Sequence, residues 1–120
     1  MYILDTNVVS ELRKAKDGRA DRNVTVWAAS IAPAEAFLSV VTILEIAQGI
    51  LQVERRDTGH GILLRTWFEE RVLPPFAERI LPIAATGPVR GMTVVTRNVK
   101  DFAGTGVAIL NPFSSPGSKR

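Results

Sequence analysis

The sequence feature that most constrains this chain is a short apolar run near its start that stops on a carboxylate. The run Tyr2-Ile3-Leu4 is followed by Asp5 and then by Thr6 and Asn7. An unbroken apolar run of this kind is typical of a strand buried on both faces, as in a parallel sheet. Ligands bind beyond the carboxyl ends of the strands in such sheets, so we expect Asp5 to stand where a site would form.

The rest of the chain alternates strand-like with helix-like segments, which predicts an α/β fold around a mainly parallel sheet. The polar stretch 52–61 is interpreted as a turn, and Pro74-Pro75 as the end of a helix. Pro82 places the strand that contains it at a sheet edge or a strand end. Further strands are predicted at 37–41, 79–83, 92–96 and 107–110.

Length and composition limit the classes of protein that this chain can belong to. Its 120 residues, 46% of them hydrophobic, suit one domain with a core and are too few for two. No cysteine is present, which excludes disulfides and thiolate metal sites. We see no signal peptide, and polar residues interrupt the longest apolar stretch, 37–47, so we expect a cytoplasmic protein without a membrane span. The net charge of +3 is compatible with a nucleic-acid partner and equally with an ordinary soluble surface.

Three carboxylates stand where predicted strands end, at Asp5, Glu45 and Asp101. The carboxyl ends of parallel strands share one edge, so these side chains are candidates for a single site. Clustered carboxylates repel one another unless they are protonated or bridged by a cation. Oxygen ligands without Cys or His favour Mg²⁺ or Mn²⁺, which can activate water for attack on a phosphodiester.

Each of the three carboxylates also has an ordinary structural explanation. Asp5 would serve as a helix cap, although Thr6 and Asn7 are equally suited to that role. Thr42-Ile43-Leu44-Glu45 has the pattern of a capping box, in which Glu45 reaches back to the Thr42 amide. Asp101 would stabilise its own polar turn. Spacing alone does not decide between these roles and a shared metal site.

Other chemistries have weaker support in the sequence. His60, the single histidine, lies beside two glycines and is expected in an exposed loop. Gly104-Thr105-Gly106 lacks the Gly-Lys-Ser/Thr ending of a phosphate-binding loop. A phosphatase of the haloacid-dehalogenase kind would need a second Asp two residues after Asp5, where this chain has Asn7.

Four segments together resemble PIN-domain proteins, and most closely VapC-type toxins of bacterial toxin–antitoxin pairs. The resemblance implies a PIN-like three-layer fold and a Mg²⁺-dependent endoribonuclease that acts on RNA, with an antitoxin partner and often a homodimer. By motif, Asp5, Glu45 and Asp101 correspond to acidic site positions of that family, as catalytic residues and metal ligands. Asn7, Thr96 and Asn98 correspond to polar positions near the site. The matching segments are MYILDTNVVSEL (1–12), FLSVVTILEIAQG (37–49), RILP (79–82) and TVVTRNVKDFAGTGVAILNP (93–112).

One departure from the family pattern concerns a further acid. The family carries that acid three residues before an Ile-Ala-Ala segment; Ile83-Ala84-Ala85 matches the segment, but Ile80 stands at the acidic position. The resemblance therefore implies that a helical segment before the fourth main strand is missing, and Pro88 stands where the family has helix. We predict a PIN-like domain over 1–112, internally truncated near 83, and a flexible tail over 113–120. The alternative function is an inactive PIN fragment that only binds an antitoxin or another protomer.

Overall fold

A computed structural model of the protein describes residues 1–81, 92–102 and 108–114. Short 3₁₀ turns lie at Lys14–Asp17 and Pro33–Glu35, and a π-helical turn at Phe68–Val72 joins two helices. The strands are β1 (Tyr2–Leu4), β2 (Ala36–Ser39), β3 (Ile80–Leu81), β4 (Thr93–Val95) and β5 (Ala108–Leu110). The helices are α1 (Thr6–Arg13), α2 (Arg22–Ala29), α3 (Val40–Arg56), α4 (Thr58–Trp67), α5 (Leu73–Phe76) and α6 (Val99–Phe102).

The described strands form one five-stranded sheet in the order β3-β2-β1-β4-β5. Every pairing between these strands is parallel. Strand β1 is central, since Tyr2 pairs with Ala36 on one side and with Thr93 on the other. This arrangement confirms the predicted α/β fold with a mainly parallel sheet. Among the described strands β3 lies at an edge, as predicted.

The core explains why the opening run is apolar. Leu4 and Val95, on the two paired central strands, lie in the main buried cluster together with Leu38 of β2. Their neighbours along the strands, Ile3 and Val94, point to the other side of the sheet and are buried as well. Burial on both faces is what a central parallel strand requires.

The start of α3 differs from the prediction. Strand β2 ends at Ser39, and the β-branched pair Val40-Val41 begins the helix instead of ending the strand. The Ser39 side chain accepts a hydrogen bond from the Thr42 amide at 3.1 Å, so Ser39 is the N-cap and Thr42 is not. The predicted capping box at Thr42 is therefore wrong, because the serine three residues earlier makes the capping bond.

The predicted turn at 52–61 is also wrong, because α3 and α4 pack as a helical hairpin broken only at Asp57. Asp57 caps α4 by accepting the His60 amide at 3.1 Å. His60 is exposed, as predicted, but it lies on this helix and not in a loop. Arg65 binds Glu54 across the hairpin with two hydrogen bonds of 2.6 and 2.8 Å. This guanidinium holds the pKa of Glu54 below its ordinary value.

Two further predictions, about Pro74-Pro75 and about Asp101, are also corrected. Pro74 and Pro75 do not end a helix but lie in the short helix α5. Proline is tolerated in the first turn of a helix because the backbone amides there have no hydrogen-bond acceptor within the helix. Asp101 lies on α6 and not in a turn. Asp21 caps α2 by accepting the Asn23 and Val24 amides at 2.9 and 3.2 Å.

The C-terminal part of the chain is described as far as Ser114. Phe113, which the sequence placed in a tail, packs against the core, and the Arg97 guanidinium lies 3.9 Å from its ring centroid. The packed domain thus includes this residue. Residues 115–120 of the predicted tail lie outside the described residues, as do the Ile83-Ala84-Ala85 segment, Pro88 and Gly104-Thr105-Gly106.

No helix in the described part of the chain is long and apolar enough to cross a bilayer.

Candidate active site

An open cleft of about 850 Å³ lies at the carboxyl ends of the central strands. Asp5 follows β1, Ser39 ends β2, and one face of α3 forms a wall. All three predicted carboxylates line this cleft. Its lining residues are Asp5, Thr6, Asn7, Ser39, Val41, Thr42, Glu45, Gln48, Gly49, Gln52, Asn98 and Asp101.

Asp5 is held more firmly than a cap alone would require. One carboxylate oxygen accepts the Thr6 amide at 2.8 Å, as expected of an N-cap. The other oxygen accepts the Thr96 hydroxyl at 2.8 Å and the Asn7 side-chain amide at 3.3 Å. A carboxylate offers about four lone-pair sites, so about one remains for a ligand in the cleft. The capping role and the site role of Asp5 are therefore compatible.

Thr96 fixes the orientation of the Asp5 carboxylate. Its hydroxyl is fully buried and accepts the Asn98 backbone amide at 3.0 Å and the Asn7 side-chain amide at 3.2 Å. A hydroxyl has two lone pairs and one proton, so with both lone pairs used the proton is directed to Asp5. Asn7 in turn accepts the Arg97 amide at 3.0 Å. The three predicted supporting residues thus belong to one hydrogen-bond network around Asp5.

Glu45 is exposed on α3, and its carboxylate accepts a hydrogen bond from the Thr6 hydroxyl. Thr6 therefore binds two of the candidate carboxylates, Asp5 through its amide and Glu45 through its side chain. This contact replaces the capping-box role, since Ser39 already caps the helix.

Asp101 is the least constrained of the three carboxylates. It is exposed on α6, where its amide donates to the Asn98 carbonyl at 3.0 Å. Asn98 links this short helix to Thr96 through its own amide. The chain therefore brings Asp101 to the cleft by backbone contacts and leaves its side chain open to solvent.

The cleft has a strongly negative lining. Three of its lining residues are carboxylates, and none of the described residues that line it is Lys or Arg. Across residues 1–81, 92–102 and 108–114, however, no three Asp, Glu, His or Cys side chains lie close enough to hold one metal ion. Mg²⁺ is typically bound by one or two carboxylates together with water and substrate phosphates. The donor set at Asp5 and Glu45 fits that mode of binding, whereas a closed cage of three acids is not formed by the described residues.

Sequence reasoning missed several lining residues. Thr6 was considered only as a helix cap, although it bridges the two carboxylates. Gln48, Gly49 and Gln52 follow Glu45 by three, four and seven residues, which is the spacing of one helix face. That spacing was the signal from which these three residues could have been predicted beside Glu45 on the wall of the site.

Proteins similar to this chain include three curated relatives. Ribonuclease VapC14 of Mycobacterium tuberculosis is 44% identical over 75 residues, which are 62% of this chain and 70% of that protein. VapC ribonuclease Y4jK of Sinorhizobium fredii is 30% identical over an alignment that covers 94% of this chain and 98% of that protein. This chain belongs to the VapC family of PIN-domain toxins. Toxin FitB of Neisseria gonorrhoeae is likewise 30% identical, with 94% and 99% coverage.

Two solved structures have a fold similar to that of this chain. The crystal structure of FitAcB from Neisseria gonorrhoeae matches with a TM-score of 0.81 at 27% identity, covering 94% of this chain and 99% of that one. A structure of FitAB bound to an IR36 DNA fragment matches with a TM-score of 0.83, also at 27% identity, covering 99% and 100%. No family model matches the chain.

The alignments with the two longer matches contain more positions than this chain has residues. They run over 144 and 146 positions, against 120 residues here. At least 24 alignment positions therefore have no residue in this chain, and the internal truncation near 83 stays a prediction. Ile80 itself lies in β3, paired with Leu38, and carries no ligand atom.

Proposed function

We propose that this chain is a divalent-metal-dependent endoribonuclease and the toxin of a toxin–antitoxin pair. The observation that carries the proposal is the cleft in which Asp5, held by Thr96 and Thr6, stands beside Glu45 and Asp101. Similar proteins described as VapC ribonucleases support the same activity. The reaction would be hydrolysis of an RNA phosphodiester.

Asp5 and Glu45 would hold Mg²⁺ or Mn²⁺, and Asp101 would add negative charge to the cleft. The bound cation would activate water and stabilise the charge that develops on the phosphodiester. Thr6 would keep the two carboxylates in a fixed relation, since it donates to both. Thr96 and Asn7 would prevent Asp5 from rotating away.

The charge of the cleft supports dependence on a cation. An RNA phosphate that approached three carboxylates without a compensating positive charge would be repelled. The described lining residues include no Lys or Arg that would offset this repulsion. A cation bound between the carboxylates and the phosphate would reverse the interaction.

The direct test is cleavage of a pool of single-stranded RNA of random sequence, with Mg²⁺, with Mn²⁺ and with a chelator. We expect cleavage with either metal, none with the chelator, and none from Asp5→Asn with metal. The control is Asp17→Asn, which makes the same chemical change at an exposed aspartate paired with Arg19 outside the cleft. Cleavage that persists in Asp5→Asn or in the chelator would refute the proposal.

A second candidate function is an inactive PIN protein that acts only by binding. It is favoured by the absent alignment positions, by Ile80 in place of a family acid, and by the lack of a three-acid cluster among the described residues. Calorimetry with Mg²⁺ and Mn²⁺ separates the two candidates. Heat of binding in the wild type that disappears in Asp5→Asn supports the nuclease, and no heat in either protein supports the inactive alternative.

We further propose an antitoxin partner and self-association into a homodimer. The structural neighbours described as FitAB, and the relative described as toxin FitB, support a protein partner. Co-expression with the product of an adjacent small gene should yield a complex that copurifies and suppresses cleavage. Sedimentation equilibrium of the chain alone should give the mass of a dimer, and a monomer at all concentrations would contradict the self-association.

A further inference from the structure

Gly49 and Gly61, both in helices of the α3–α4 hairpin, differ in whether packing explains the absence of a side chain. A glycine inside a helix is less stable than alanine because it loses more backbone freedom, so each position needs a reason. At Gly61 the reason is packing, since an added Cβ would lie 2.4 Å from Cγ and 2.8 Å from Cα of Glu54. Only a residue without a side chain lets the two helices approach this closely.

Gly49 has no such packing reason. It is in the middle of α3, and outside its two chain neighbours and the backbone of its own helix, no described atom would lie within 4 Å of an added Cβ. Gly49 nevertheless lines the cleft that contains the three carboxylates. Its effect is to leave a bare stretch of helix backbone on the cleft wall, next to open space.

The residues around Gly49 give this wall a particular chemistry. Gln48 and Gln52 are exposed and line the same cleft. At a rise of about 1.5 Å per residue, the wall extends about 10 Å along the helix from Glu45 to Gln52. Each glutamine amide offers two donors and one acceptor oxygen and carries no charge. The wall therefore changes from an anionic end at Glu45 to a neutral, hydrogen-bonding end at Gln52.

We propose that Gly49, Gln48 and Gln52 form a subsite for the base of the nucleotide next to the scissile bond. This inference rests on the proposed ribonuclease function and adds the group that the cleft recognises. A flat base would lie against the bare backbone at Gly49, and the two amides would bond its edge, as in the recognition of single-stranded RNA by base edges. The amides present donors and an acceptor side by side, which matches the mixed edge of a base, whereas phosphate oxygens only accept.

The test compares three variants with the wild type, using the same random-sequence single-stranded RNA as probe. Fluorescence anisotropy gives the dissociation constant, and sequencing of the product ends gives the base preference beside the cut. Gly49→Ala should weaken RNA binding about tenfold, because a methyl group enters the space of the base, while thermal stability rises. The double variant Gln48→Ala/Gln52→Ala should flatten the base preference at one position while metal binding, measured by calorimetry, is retained.

Gly59→Ala is the matched control. Like Gly49, Gly59 is a helical glycine of the same hairpin, although it lies in the first turn of α4. An added Cβ there would make only an ordinary contact of 3.7 Å with Asp57. Gly59 does not belong to the cleft lining, so its RNA affinity and base preference should equal those of the wild type.

The outcomes separate the subsite from the proposed function. If the wild type neither binds nor cuts RNA, both proposals fail. If the wild type cuts RNA and Gly49→Ala and the double variant keep its affinity and base preference, the subsite alone is refuted. If Gly49→Ala keeps its RNA affinity but changes the sedimenting mass, the glycine belongs to a protein interface, which also overturns the subsite.

Discussion

The two sides of the cleft are built differently, although both present carboxylates. On the β1–β4 side, Asp5 accepts three hydrogen bonds, and its partner Thr96, directly after β4, is fully buried. On the helical side, Glu45 and Asp101 are exposed, and the one side-chain bond described for Glu45 comes from Thr6.

This difference assigns different roles to the two sides. Hydrogen bonds to a side chain that holds a metal ion fix the orientation of that side chain and raise the affinity of the site for the metal. Side chains without such support lose entropy when they bind, but they can adjust to a substrate. We therefore infer that Asp5 is the anchor of the site and that Glu45 and Asp101 respond to what is bound.

The largest effect should follow from removing the anchor. Asp5→Asn should reduce Mg²⁺ affinity by more than about 100-fold, because loss of a supporting group alone costs about 10–100-fold. Isothermal titration with MgCl₂ measures this change, and the folded state is checked by circular dichroism. A folded Asp5→Asn protein that binds Mg²⁺ as the wild type does would show that the anchor lies elsewhere.

Removing the buried support of the anchor should have the next largest effect. Thr96→Val keeps the shape of the side chain but removes the hydroxyl. Asp5 then loses the hydrogen bond from Thr96, and the Asn98 amide loses its acceptor. We expect a loss of about 10–100-fold in metal affinity and of about 1–3 kcal/mol in the free energy of unfolding. Calorimetry and urea unfolding give the two quantities, and Thr96→Ser should restore most of the affinity. Equal failure of the serine variant would indicate a packing role for the lost methyl group.

The exposed side should be less sensitive. Asp101→Asn should change metal affinity by less than about tenfold, since the charge interacts through solvent and is screened by salt. Titrations at low and high salt should show the difference from wild type shrinking as salt rises. A loss as large as that of Asp5→Asn would place Asp101 among the direct ligands and erase the contrast between the two sides.

The smallest effect on the site is expected from Glu11, which lies outside the cleft lining. Its carboxylate accepts the Asp21 amide at 2.7 Å and pairs with Lys14 at 3.3 Å, and these contacts lower its pKa from 4.5. A lowered folded-state pKa adds stability above that ordinary value, and this stability is lost as pH falls through the lowered pKa.

The Glu11→Gln protein should therefore lose less stability below pH 4.5 than the wild type does. Urea unfolding at several acidic pH values measures this, and RNA cleavage at neutral pH should be unchanged. A parallel fall in cleavage would mean that the α1–α2 connection also supports the cleft.

The sequence predicted the sheet better than it predicted the helices. The central strands β1 and β4 are rich in apolar residues because both of their faces are largely buried, so Tyr2–Leu4 and Thr93–Val95 were readily located. Helix boundaries depend on which side chain makes the capping bond. At the start of α3, both Ser39 and Thr42 have the chemistry of a cap, and local pattern favoured the wrong one.

The sequence by itself determined the candidate residues of the site. Asp5, Glu45 and Asp101 stand where predicted parallel strands end, which made them candidates for one edge of the sheet, and all three line the cleft there. The polar residues Asn7, Thr96 and Asn98 were named only because the segments that contain them resemble PIN-domain proteins.

Only the tertiary structure decided how these residues act on one another. Hydrogen bonds such as those from Thr96 to Asp5 and from Thr6 to Glu45 join residues 91 and 39 positions apart. Their directions depend on how the strands and α3 pack, which spacing along the chain does not encode. The same holds for the two glycines: Gly49 and Gly61 are alike in sequence, and packing alone shows that one serves the helix contact and the other opens onto the cleft.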